Sequence, residues 1–172
     1  MTDRVRTVRV FVSYAWDDKL LGHVDGALEL ANSLRAEGLE SHIDRYVENE
    51  AVFWPRWMAD QVTNADFVLC LASPLYKRRF EQRMEIDEVS GSAWEGLIIS
   101  EEMYRHPSGG PAKFISVLLG GATRDHIPDL LHPFGYTFYS LPSDYIRLLR
   151  RLTNQPAVIA PPVGRMVVLD PE

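Results

Sequence analysis

Aromatic, acidic and basic side chains follow directly on the apolar runs of this 172-residue sequence. There they can stack on a planar ring, accept from hydroxyls or pair with phosphates. Tyr14 and Trp16 come straight after the run VRVFV at 8–12, with Asp17 and Asp18 behind them. Either aromatic can lie flat on a base, or instead pack on the neighbouring loop, and the two aspartates can instead open a helix favourably against its dipole. Asp44, Arg45 and Tyr46 end a second strand, LESHID at 39–44, and open the loop after it. The planar fork of Arg45 suits phosphate, although a surface pair with Asp44 is the alternative. Trp54 and Arg56 stand next to Pro55, where an exposed aromatic would mark an interface. Lys77, Arg78 and Arg79 can meet phosphate or simply face solvent. Trp94 and Glu95 pair an aromatic with a carboxylate, and Glu81, Glu101 and Glu102 are further carboxylates in the same half.

Several chemistries are excluded. The single cysteine, Cys70, lies in an apolar run and reads as a core thiol, and one cysteine cannot build a Cys-rich zinc site. His23, His42, His106, His126 and His132 include no pair at four-residue spacing, so no helical metal pair is expected. Neither a GxxxxGK[ST] nor a GxGxxG run occurs, which excludes P-loop and Rossmann nucleotide sites. A phosphoacceptor receiver would need an aspartate at the end of the third strand, where Ala72–Ser73 stands. Net charge is −6, so no general attraction to nucleic acid is expected. No apolar stretch reaches the roughly 18–20 residues of a membrane span. The N-terminus lacks a secretory h-region, and the sequence reads as cytoplasmic.

These residues must be positioned by a sheet. Residues 8–12 read as a buried strand, and Val24, Ala27, Leu28, Ala31 and Leu34 recur at helical steps up to Gly38. Residues 39–44 read as a second strand and 45–54 as a loop, with a helix from Pro55 through Val62. The run 66–73 is apolar enough for a central parallel strand covered on both faces. Residues 77–92 break the rhythm and are expected to form an insertion or mobile loop. Helical spacing returns over 94–104, and strands follow over 114–119 and 136–141. The last helix is expected from a Ser143 cap to Leu152. Residues 1–155 make one domain, and the Pro-rich stretch 156–172 reads as a linker or tail toward a possible further domain. Five strands alternating with helices give an α/β fold with a parallel sheet. Right-handed crossovers then gather the loops after Tyr14, Asp44, Ser73 and Gly120 at one end of the sheet.

Taken in order, VFVSYAWDD (10–18), HIDRY (42–46), WPRWMADQV (54–62) and ADFVLCLASPLYKRRFE (65–81) resemble a SEFIR domain. That family is a branch of the Toll/interleukin receptor (TIR) superfamily, present in interleukin-receptor tails and many bacterial proteins. WEGLIISEEMY (94–104), FISVLL, GYTFYSL and LTNQPAV are similar to the second half of the bacterial members, so the resemblance spans about 8–158. It implies a flavodoxin-like three-layer sandwich on five parallel strands. It also implies one of two activities, cleavage of NAD+ at the nicotinamide–ribose bond or non-catalytic scaffolding by homotypic contact. In the enzyme reading NAD+ is substrate, no cofactor is needed, and self-association into oligomers or filaments activates the domain in antiviral defence. Glu95 beside Trp94 is then the catalytic carboxylate, with Glu81, Glu101 and Glu102 as alternatives. Tyr14, Trp16, Asp17, Arg45, Tyr46 and Trp94 line the substrate site, while Trp54 and Arg56 lie at the interface.

Overall fold

The computed structural model describes residues 6–16, 22–81, 98–102, 105, 110–132 and 138–171. Within these, β1 spans Arg9–Ser13, α1 His23–Ala36, β2 Glu40–His42 and α2 Trp54–Asn64. Then come β3 Phe67–Ala72, α3 Pro74–Glu81, the short α4 Gly110–Lys113, β4 Phe114–Leu118, β5 Phe138–Ser140 and α5 Tyr145–Leu152. Residues 98–102 are also helical. All strand pairs are parallel, in the order β2-β1-β3-β4-β5.

Alternation along the strands explains the layers, because successive side chains leave a strand on opposite faces. Val10, Val12, Leu69, Leu71, Ile115 and Val117 face one side and pack with Ala27, Leu30 and Leu34 of α1 and Leu148 and Leu152 of α5. Phe11, Val68, Cys70, Ala72, Phe114 and Leu118 face the other, against Val62 of α2, Tyr76 and Phe80 of α3, and Ile99. The sheet is therefore covered on both sides, as its apolar strands require. Cys70 is a buried free thiol, as its surroundings in the sequence suggest.

The first helix ends as its sequence asks. Gly38 takes φ +87°, its N–H reaches Arg35 O and the Leu39 N–H reaches Leu34 O. That double closure needs a residue free to adopt a left-handed backbone, and it carries Leu39 back onto the core beside Leu34. Both sheet edges are capped by side chains. Arg35 donates to Ser41 O at 2.6 Å on β2, and Arg147 donates to Phe138 O at 3.1 Å on β5. The Ser140 N–H on β5 also donates to the Asp144 carboxylate at 2.9 Å. Such caps occupy groups that would otherwise recruit a further strand.

Three boundaries differ from expectation. Residues 77–81 are not loop but the end of α3. Ser73 accepts the Tyr76 N–H on its hydroxyl and the Lys77 N–H on its carbonyl, and Tyr76 and Phe80, four apart, bury the inner face. The charges that hid this helix, Lys77 to Arg79, stand in its middle; residues 82–92 lie outside the described ones. The second strand stops at His42, and Asp44–Val47 forms a single 3-10 turn. The last helix begins at Tyr145 after Asp144, while the Ser143 hydroxyl turns back to Ser140 O.

Candidate functional site

The strand order reverses direction between β1 and β3, which opens a crevice at the carboxyl ends of those strands. Two contacts bridge it. The Ser13 and Tyr76 hydroxyls are hydrogen-bonded at 2.9 Å, and Arg79 donates to the Trp16 carbonyl at 3.0 Å. The end of β1 is thereby tied to α3.

Beside the crevice, one carboxylate gathers the loops that follow β1 and β2. Asp44 accepts from the Tyr14 hydroxyl at 2.9 Å and from the Arg45 backbone N–H at 2.8 Å. Its second oxygen accepts from the Trp16 indole N–H. The Tyr14 and Trp16 rings are stacked at 6.4 Å, and the Arg45 guanidinium lies 5.8 Å from the Trp16 centroid. Arg45 also pairs with Glu48 at 3.2 Å. Tyr14 is only 3% exposed and belongs to the core, with its hydroxyl turned to Asp44. Trp16, 47% exposed, has the surface on which a base can stack. This arrangement can hold a planar ring on Trp16, a phosphate near Arg45, and hydroxyl donors near Asp44.

Tyr46 takes a different direction. Its hydroxyl donates to Asn32 on α1 at 2.7 Å, and Arg35 of the same helix lies over its ring at 5.5 Å. Trp54 and Arg56 are exposed on the first turn of α2. Trp57, by contrast, packs edge-on against both Trp54 and Phe11 and anchors the helix to the sheet. Phe53, immediately before α2, is 74% exposed and Trp54 41%, so two aromatics stand open to solvent here. Asp17, Trp94 and Glu95 lie outside the described residues, as does Asp18.

The alternative glutamates are engaged elsewhere. Glu81 accepts the Asp129 N–H at 2.8 Å and lies 3.8 Å from Lys77. Lys77 in turn holds Asp129 at 2.8 Å, and this hydrogen bond raises the lysine above its ordinary value and lowers the aspartate below its own. Glu101 pairs with Arg105 at 3.6 Å and Glu102 with Lys113 at 3.5 Å. None of the described histidines, cysteines and carboxylates gather in a group able to hold a metal ion.

Asp44 as the shared acceptor was the feature that residue types alone did not reveal. Its signal in the sequence is an acid just past the second strand, in a loop that the parallel order brings to the carboxyl end of the sheet. The geometry agrees with the comparisons. The family model of the SEFIR domain matches residues 8–152. The chain belongs to the SEFIR family. A solved structure described as the crystal structure of a prokaryotic SEFIR domain is similar in fold. It has a TM-score of 0.61 and 24% identity, covering 92% of this chain and all of that one. No curated protein matches the chain. SEFIR domains are TIR-like and generally engage others of their kind, and the five-stranded parallel sheet is the architecture of that group. Among the described residues no helix is long and apolar enough to cross a membrane.

Proposed function

We propose that this SEFIR domain is a cytoplasmic NAD+ glycohydrolase, an immune effector switched on by self-association in antiviral defence. The observation that supports it most is the convergence of Trp16, Arg45 and the Tyr14-oriented Asp44 at the carboxyl end of the sheet. In this reading a base of NAD+ stacks on Trp16, the diphosphate approaches Arg45, and Glu95 sits against the nicotinamide ribose. Asp17, Tyr46 and Trp94 complete the surroundings. The C1′–N bond breaks with its electron pair leaving on nicotinamide, which departs neutral. The oxocarbenium-like ribosyl is stabilised by the carboxylate and captured by water, which gives ADP-ribose and a proton. No cofactor enters the reaction.

The test is nicotinamide release from NAD+ by concentrated protein, with Glu95→Gln and Glu95→Ala measured in parallel. Release by the parent chain and a loss of at least about 100-fold in both variants is expected, in the range of a removed electrostatic stabiliser. Full activity in both variants would remove Glu95 from the mechanism. A second reading, a non-catalytic scaffold, is favoured by the exposed Phe53 and Trp54 beside the loop after β2. It predicts no release at any concentration, together with association that Trp54→Ala or Arg56→Glu weakens.

A further inference from the structure

Lys77, Arg78 and Arg79 form one basic run in the sequence, yet α3 sends them in three directions. Lys77 holds Asp129 at 2.8 Å, and Arg78 is exposed. Arg79 turns to the crevice and donates to the Trp16 carbonyl at 3.0 Å.

The helix that carries Arg79 is itself fixed at several points. Tyr76 and Phe80 are buried against the sheet, and the Tyr76 hydroxyl is bonded to that of Ser13 at 2.9 Å. Ser73 accepts the Tyr76 N–H at 3.0 Å, and beyond Arg79 the Glu81 carboxylate accepts the Asp129 N–H at 2.8 Å. A guanidinium carried by so constrained a helix offers its donors from a settled base.

Trp16 is thereby tethered twice, from opposite sides of β1. Its indole N–H donates to Asp44, just past β2, and its carbonyl accepts from Arg79, on the helix that follows β3. β2 and β3 flank β1 in the sheet. With both the indole edge and the backbone held, few side-chain rotamers remain for the half-exposed ring. A loose ring would lose that freedom when a base settled on it, at a cost in affinity; a ring already held does not.

We infer that Arg79 is a positioning residue for base stacking. It holds the Trp16 backbone so that the indole presents its exposed surface to a planar heteroaromatic base, and it does not itself meet the phosphate of the ligand. The inference rests on the proposed reading in which a base of NAD+ stacks on Trp16. It assigns Arg79 an effect that is the same with and without phosphate on the ligand. An arginine that met phosphate directly would matter to phosphorylated ligands alone, and one that served only stability would matter to no ligand.

Two nucleoside–nucleotide pairs test it, adenosine with AMP and nicotinamide riboside with nicotinamide mononucleotide. Each is titrated into the intact chain and read by NMR at the indole N–H signal that Trp16→Phe removes. At least one pair should shift that signal, and the pair that does so identifies the stacked base. Arg79→Ala should weaken both members of that pair by at least about threefold and to the same extent, the scale of one hydrogen bond. It should also move the Trp16 indole signal of the unliganded chain. Arg78→Ala makes the same change of charge on the same helix and should do neither. Arg79 is partly exposed, so Arg79→Ala should remain folded, and Arg79→Lys, which keeps the charge but loses the planar fork, gives an independent comparison and should fall between Arg79→Ala and the parent. Nucleoside affinity unchanged in Arg79→Ala would overturn the inference while leaving stacking on Trp16 intact; loss confined to the nucleotide would make Arg79 a phosphate contact. Equal weakening by Arg78→Ala would trace the effect to charge and overturn it too. A Trp16 signal that no probe shifts would remove the stacking reading itself and the inference with it.

Discussion

The two ends of the sheet are built on opposite terms. At the carboxyl end polar groups satisfy one another. Asp44 collects three donors, and Ser13, Tyr76 and Arg79 tie β1 to α3. At the amino end Val8, Phe67 and Leu152 stand among polar residues: Asp66 accepts from Arg6 at 2.7 Å and from the Arg9 N–H at 2.9 Å, Arg151 donates to Ala112 O at 3.2 Å, and Arg6 is largely exposed. A network of mutual hydrogen bonds fixes the positions of its members. The difference between the ends is thus one between donors gathered on one partly buried carboxylate and contacts open to solvent beside apolar residues.

The largest expected effect breaks what the two ends share. Leu71 is fully buried in the central strand, and Leu71→Ala should lower unfolding free energy by about 2–5 kcal/mol in denaturant melts. Asp44→Ala comes next. It removes the acceptor shared by the Tyr14 hydroxyl, the Trp16 indole and the Arg45 N–H, so a loss of about 1–3 kcal/mol is expected, with faster acrylamide quenching of Trp16. Tyr14→Phe should cost less in the Asp44→Ala background than in the parent chain, because the hydrogen bond between the two side chains is already gone. At the amino end Arg6→Ala should cost no more than about 1 kcal/mol, the scale of an exposed pair. If Arg6→Ala cost more than Asp44→Ala, the contrast between the ends would be reversed.

The smallest effect is one of pH. The hydrogen bond from His42, and then the charge of Arg9, hold the Glu40 carboxyl below its ordinary 4.5. Its folded value is thus lower than its unfolded one. The stabilisation is present above about pH 4.5 and is lost as pH falls through the folded value. Because Glu40 is largely solvated, the contribution is well under about 1 kcal/mol, and Glu40→Gln should flatten the acid limb of a melting-temperature profile only slightly.

Most of the frame was legible because it rests on periodicity. The apolar runs at 8–12, 66–73 and 114–119 hold the three central strands, and the recurrence from Val24 to Leu34 with Gly38 behind it holds α1 and its closure. What was not legible depends on partners far away in the chain. α3 looked like a loop because its charged middle outweighs Tyr76 and Phe80, whose burial is supplied by β3 and residues around Ile99 and Ile127. Tyr14 and Trp16 look alike in sequence. Only the fold separates them, one turned into the core with its hydroxyl on Asp44 and the other left half open.

The claim that the carboxyl end handles a dinucleotide is tested most directly by following NAD+ by proton NMR in the presence of the concentrated chain and of Trp16→Ala. The account predicts nicotinamide and ADP-ribose appearing together with the parent chain. With Trp16→Ala it predicts release about tenfold slower or more, the worth of one base stacked on an aromatic ring. NAD+ left intact by the parent chain at every concentration, or cleaved equally fast by Trp16→Ala, would contradict it.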